Sequence, residues 1–147
     1  MSRTAEHLRT AAHLISNRGL NTGTQFIDPT TNTIDVAAAI YLAAENHTPP
    51  EFHTDEATSL EIIAASAKAM TAIRALSDSL DTDPSVTEIA PGHSVPDYIE
   101  HVSNWAATKP VWGNRPPTTS EVIGALLRAA QTANATHCVH QTERSAA

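Results

Sequence analysis

Residues 35–46 read DVAAAIYLAAEN, and a helix with this sequence is apolar around most of its circumference. Helices of that kind are usually buried. Asp35 is a favourable N-terminal cap, and Thr48-Pro49-Pro50 predicts the end of the helix. We therefore place this segment, helix two, at the centre of a helical bundle.

An amphipathic helix is predicted before it, from about Thr4 to Arg18. Leu8, Ala11, Ala12 and Ile15 recur on one helical face. Gly19 follows and can take the left-handed conformation that ends helices. Between the two helices, β-prone residues flank the turn-forming residues 28–32, so we expect a small β-hairpin in residues 20–34.

The longest predicted helix runs from about Thr54 to Leu80. Its apolar and small residues alternate spacings of four and three, a seam typical of packing against a neighbouring helix. The broad stripe favours packing within the bundle, and a homodimer is the alternative. The seam residues are Ile62, Ser66, Ala69, Ile73, Leu76 and Leu80.

Two further helices follow a predicted internal loop over residues 81–94. One should begin at Ser94, where Ser94 and Asp97 resemble a capping box, and the other at Thr118, which pairs with Glu121. The last helix should end near Asn134. We thus expect a mainly α, compact bundle of about five helices with a small β-hairpin between helices one and two. Residues 1–134 would form a single helical domain, and residues 135–147 a flexible C-terminal tail.

Composition narrows the classes of function. The 147 residues suit one domain, and much of the 41% apolar content is alanine, which predicts a thin core. The net charge of −7 makes nucleic-acid binding an unfavoured expectation, because such binding rests on Lys and Arg. Cys138 is the only cysteine, and no apolar run approaches the roughly 20 residues of a membrane span. We expect a cytoplasmic protein with no membrane partner.

Residues 109–117, here called the tryptophan loop, read KPVWGNRPP. Aromatic, arginine and proline residues are common in protein recognition surfaces, so Trp112 and Arg115, with Trp105 just upstream, are candidate partner-binding residues. The alternative, which the thin core favours, is that Trp112 folds back and fills the interior.

The predicted tail holds the only dense group of metal ligands, His137, Cys138 and His140. Structural zinc sites normally draw two pairs of ligands from separated segments. We therefore favour incidental histidines over a metal site and expect no cofactor. No phosphate loop, nucleophile elbow or paired-cysteine motif occurs, so no catalytic residue is assigned.

Three segments together resemble the small actinobacterial and actinophage family known as domain of unknown function 6197, from about Thr4 to Asn134. They are Glu6-His7-Leu8-Arg9-x-Ala11-Ala12-x-Leu14-Ile15-x-x-Arg18-Gly19, Asp35-Val36-Ala37-Ala38-Ala39-Ile40, and Trp105 upstream of Ser120-Glu121-Val122-Ile123-x-Ala125-Leu126-Leu127-Arg128-Ala129-Ala130. The resemblance implies a bacterial or phage setting and no established activity. The chain differs from the family pattern at Leu20, at Asp35 or Val36, and at Ala106-Ala107.

The hypothesis that follows is a non-enzymatic protein-interaction or accessory protein, with an unknown protein partner or a second copy of itself. One alternative is a nucleic-acid-associated regulator that uses Arg3, Arg9 and Arg18. Another is a small-molecule or metal-dependent enzyme with an interhelical site, which predicts a pocket with convergent polar groups and a perturbed titrating residue.

Overall fold

The computed structural model describes residues 2–146, with side chains described for residues 2–144. Within that range the protein is mainly helical, with one two-stranded antiparallel sheet and a 3₁₀ turn at Pro50–His53. The helices and strands, in chain order, are α1 (Arg3–Arg18), α2 (Val36–Glu45), α3 (Glu56–Ala65), α4 (Ala67–Ser79), β1 (Val86–Ala90), β2 (His93–Pro96), α5 (Tyr98–Ala107) and α6 (Thr119–Ala146).

Helix α2 lies at the centre of the bundle, as predicted. Every residue from Val36 to Tyr41 is buried, and α1, α3, α4 and α5 all contact the helix. The Asp35 carboxylate caps its first turn by accepting the N–H of Ala37 at 3.1 Å. Asn46 ends it in the left-handed conformation.

Helix α1 also has the predicted bounds and the predicted inner face. Leu8 and Ile15 are completely buried, and α1 packs most extensively on α6 and then on α2. Gly19 ends it at a φ of 88°, where a side chain would be strained. The predicted apolar face of α1 and the predicted burial of α2 are therefore confirmed.

The prediction of a hairpin between α1 and α2 was wrong. Residues 20–34 form an irregular segment with isolated bridges from Ile34 to Leu20 and to Ile27. The apolar side chains of this segment enter the core: Ile27 and Ile34 are fully buried, and the Phe26 and Phe52 rings lie 5.8 Å apart. Packing against the helices has thus replaced strand pairing.

The hairpin lies instead between α4 and α5, where a loop over residues 81–94 was predicted. Strands β1 and β2 pair with an irregularity at Ala90, and Gly92 takes a φ of 75° in the turn. Both strands are exposed along their whole length. Ser94 is consequently a strand residue, and Asp97 caps α5 by accepting the N–H of Glu100 at 3.0 Å.

The long third helix is two helices joined at Ser66. The Ser66 backbone is extended and ends α3, while its hydroxyl accepts the N–H of Ala69 and so caps α4. The same hydroxyl donates to Glu45 Oε1 at 2.6 Å. This hydrogen bond to the end of α2 fixes the break within an otherwise continuous apolar seam.

Helix α6 extends past the predicted end at Asn134 and continues to Ala146. Residues 135–146 contain neither glycine nor proline, so the backbone stays helical although the apolar pattern stops. The side chains from Ala135 to Arg144 are exposed. Among the described helices, none combines the length and apolar character needed to cross a membrane.

Candidate partner-binding groove

A groove of about 730 Å³ opens between residues 81–85, helix α5 and the tryptophan loop. We call it the aromatic groove, because both tryptophans of the chain line it. Its charged lining residues are three acids and one base. The charged and tryptophan side chains that line the groove are Asp81, Asp83, Glu100, Trp105, Lys109 and Trp112.

Trp112 stands at the tip of the tryptophan loop and does not fill the core. Its side chain is 99% exposed, and that of neighbouring Val111 is 88% exposed. The N–H of Gly113 donates to the carbonyl of Pro110 at 3.0 Å, which closes a tight turn with Val111 and Trp112 at its apex. The interpretation of Trp112 as a core residue was therefore wrong, because the turn directs it outward.

Trp105 also lines the groove. It is half-buried on α5 and packs against the core, next to fully buried Val102 and nearly buried Ala106. Its other side borders a second cavity, which Leu80 and Arg128 also line. The structure thus brings the two predicted tryptophans to one groove, one half-buried against the core and one exposed.

Arg115 is placed differently from the tryptophans and does not line the groove. Its guanidinium donates to Glu121 Oε1 at 2.7 Å, and this hydrogen bond holds the pKa of the Glu121 carboxyl below its ordinary value. The Thr118 hydroxyl accepts the N–H of Glu121, which is the predicted capping contact at the start of α6. Arg115 therefore anchors the tryptophan loop to α6, and its predicted contact with a partner stays a prediction.

His101 also lines the groove, and neither its burial nor its hydrogen bonds were predicted from the sequence. It is 7% exposed, with Ser77 Oγ 2.6 Å from Nδ1 and Thr82 Oγ1 2.7 Å from Nε2. These bonds join α4, the segment before β1, and α5. In the sequence, His101 stands between Ile99 and Val102, which form the buried face of α5, and this position could have indicated that His101 is buried. Both partners of the His101 ring are hydroxyl groups, and the ring holds Thr82 close to α4 and α5.

The family of unknown function DUF6197 matches residues 1–132, nine-tenths of the chain. This chain belongs to the DUF6197 family. Neither a curated protein nor a solved structure matches it. The predicted resemblance is confirmed, and the match covers the helices and the loop that form the aromatic groove.

A smaller cavity of about 320 Å³ also borders α5 in this DUF6197 protein, and Glu100 and Asn104 line both this cavity and the aromatic groove. The Asp35 carboxylate lies in its wall and accepts the Ser103 hydroxyl at 2.9 Å. Burial raises the pKa of Asp35 from 3.8 to about 6, although hydrogen bonds from Ser103 and the start of α2 oppose the shift. Sequence reasoning identified Asp35 only as a cap, because its burial depends on packing by α5.

The predicted metal ligands lie on the exposed second half of α6. His137, Cys138 and His140 are all exposed, and the His140 ring is 3.8 Å from Glu143. Within the described part of the chain, no three His, Cys, Asp or Glu side chains converge as a metal site would require. A role for these residues stays a prediction.

The arginines of the nucleic-acid alternative are partly used within the DUF6197 fold. Arg18 donates to the carbonyl of Asn32 at 3.0 Å and to its Oδ1 at 2.7 Å, which ties α1 to the segment before α2. The Nε atom of Arg9 is buried. Only part of this cationic surface faces solvent, which does not favour binding to phosphates.

Proposed function

We propose that this protein is a non-enzymatic interaction protein that binds another protein through the aromatic groove. The observation that carries the proposal is the full exposure of Trp112 and Val111 at the apex of a tight turn. Tryptophan is among the residues that contribute most to protein interfaces, and adjacent exposed apolar side chains mark interaction sites.

The anchoring of the loop supports the same function. Arg115 binds Glu121 at the end of the loop, and the turn at Pro110–Gly113 holds its apex. A loop held in this way loses little conformational freedom when a partner binds. An exposed tryptophan on a hydrogen-bonded turn, in a groove that a second tryptophan also lines, is therefore suited to accept an apolar side chain of a partner.

The test is affinity capture from cells that naturally express the protein, with half of each extract treated with nuclease. Three baits are compared: the wild type, a Val111→Ser/Trp112→Ala variant, and a Val139→Ser variant that alters an exposed apolar residue on α6. We expect a stoichiometric protein partner that survives nuclease, binds the wild type and Val139→Ser alike, and is lost with the loop variant. Capture that is unaffected by the loop variant would refute the proposal.

A homodimer through the same groove is distinguished by sedimentation of the purified wild type and loop variant. A monomer–dimer equilibrium that the loop variant abolishes would make the partner a second copy of the chain. Capture that disappears on nuclease treatment would instead support the nucleic-acid alternative.

A second candidate function, small-molecule chemistry at an interhelical site, is favoured by the Asp35 cavity. This cavity contains a buried carboxylate with a raised pKa, as such a site requires. The same carboxylate already caps α2 and accepts the Ser103 hydroxyl, so its position has a structural cause. Shifts of the Asp35 and Ser103 NMR signals on addition of a small-molecule library, absent from Asp35→Asn, would favour this candidate.

A further inference from the structure

The lining of the aromatic groove is unbalanced in charge. Asp81, Asp83 and Glu100 contribute three carboxylates, whereas Lys109 contributes the one ammonium group. Asp81 also borders the neighbouring cavity, which Arg128 lines as well. None of the three ion pairs among the described residues involves Asp83 or Glu100. Both of these side chains are exposed and available to a partner.

The tryptophans add a second preference for a cation. The face of an indole ring attracts an ammonium or guanidinium group placed within about 6 Å of its centre. Trp112 is 99% exposed and can receive such a group, and Trp105 lines the same groove. The protein contains one contact of this kind already, with the Arg74 guanidinium 5.5 Å from the centre of the Tyr98 ring.

We infer, resting on the proposed function, that the aromatic groove accepts a basic peptide segment of its partner. An arginine or lysine side chain enters between the tryptophans and is paired by Asp83 and Glu100. An adjacent apolar side chain of the partner packs on Val111 and Trp112. The charge of the groove agrees with that of the whole chain, −7, which speeds the approach of a basic partner and repels acidic ones.

The experiment is selection of peptides from a random twelve-residue phage library on the full chain, with counter-selection on Trp112→Ala. We expect enriched peptides that carry Arg or Lys beside an aromatic or aliphatic residue. One enriched peptide is then synthesised, and its Kd is measured by fluorescence anisotropy with the wild type and with the variants.

The decisive variant is Asp83→Asn/Glu100→Gln, which we expect to weaken binding about tenfold. The matched control is Glu61→Gln/Glu143→Gln, which changes net charge equally at exposed positions of α3 and α6 that do not line the groove. We expect the control to keep the wild-type Kd. Raising the salt concentration should weaken wild-type binding more than binding by the decisive variant.

The outcomes separate this inference from the proposed function. Two results would overturn the preference for a basic peptide: enriched peptides that need Trp112 but are neutral or acidic, or peptides that bind the decisive variant and the control equally. Either result would leave the proposed binding of a protein by the groove intact. A selection that yields no peptide dependent on Trp112 would overturn the inference, and the capture experiment would then decide the proposed function separately.

Discussion

Helix α2 and the tryptophan loop use apolar side chains in opposite ways. In α2, six consecutive residues from Val36 to Tyr41 are buried, whereas Val111 and Trp112 are 88% and 99% exposed. Folding stability follows the apolar area removed from water, so α2 supports the fold and the loop contributes little to it. The comparison teaches that the few large apolar side chains of this chain are divided between the core and the surface, with one of the two tryptophans left in solvent.

The largest effect expected on stability is at the centre of the bundle. Ile40 on α2 is completely buried. Ile40→Ala should lower the free energy of unfolding by about 2–5 kcal/mol, because it removes buried methyl groups and leaves a cavity. Urea denaturation followed by circular dichroism measures this change. A loss below about 0.5 kcal/mol would break the comparison, because it would contradict the burial of α2 in the core.

A pH-dependent effect is expected from Asp35, at the first turn of the same helix. Its pKa is raised from 3.8 to about 6, so the folded protein holds this proton more tightly than the unfolded chain does. The stabilising contribution is complete below about pH 4 and is lost as the pH rises through about 6. Asp35→Asn keeps a capping side chain that does not ionise, so between pH 4 and pH 8 it should gain about 3 kcal/mol relative to the wild type.

Asp55 provides the matched control for that measurement, because it caps α3 but is exposed. Hydrogen bonds from Thr58 lower the pKa of Asp55, so its contribution is present above the unfolded pKa and lost as the pH falls. Asp55→Asn should therefore change relative to the wild type in the opposite direction. The two variants are compared by denaturation at a series of pH values, and equal slopes would contradict the burial of Asp35.

A smaller effect is expected at the joint between α3 and α4. Ser66→Ala removes the cap on Ala69 and the hydrogen bond to Glu45, and should cost about 1 kcal/mol. Thr71→Ala is the control, since that exposed hydroxyl bonds only to its own helix. Thermal denaturation compares the stabilities of the two variants. It sharpens the comparison between α2 and the tryptophan loop by showing whether the stabilising core extends to the joint between α3 and α4. Equal losses would mean that Ser66 has no special role.

The smallest effect is expected in the tryptophan loop. Trp112→Ala should change the free energy of unfolding by less than about 0.5 kcal/mol, because the side chain has no buried surface to lose. The measurement is the same denaturation series as for Ile40→Ala. A large loss would show that Trp112 packs on the protein in solution, which would remove the support for the proposed function.

The sequence predicted α1 and α2 because periodic apolar residues and caps such as Asp35 and Gly19 act locally. It misplaced the hairpin because Phe26 and Ile27 have β-prone side chains that the fold buries, whereas residues 81–94, which contain the turn at Gly92, were predicted as a loop. The break at Ser66 was missed because the apolar seam runs across it. Such choices depend on tertiary contacts that local pattern does not contain.

The candidate site was predicted in part. The tryptophans were identified by residue type, but the direction of Trp112 depends on the turn from Pro110 to Gly113. His101 was not identified because its partners, Ser77 and Thr82, lie 24 and 19 residues away. Arg115 was identified, yet its ion pair with Glu121 could be recognised only once the loop and α6 were placed together.

The packing of α1 on α6 has a consequence for the order of folding. The backbone N–H of Ser2 donates to Asn134 Oδ1, which joins residues 132 positions apart, and α6 is the most extensive neighbour of α1. Contacts of such long range require closure of a large loop and form late. During synthesis, the face of α1 that packs on α6 stays uncovered until α6 has left the ribosome, so a nascent chain that stops before α6 would expose an aggregation-prone face.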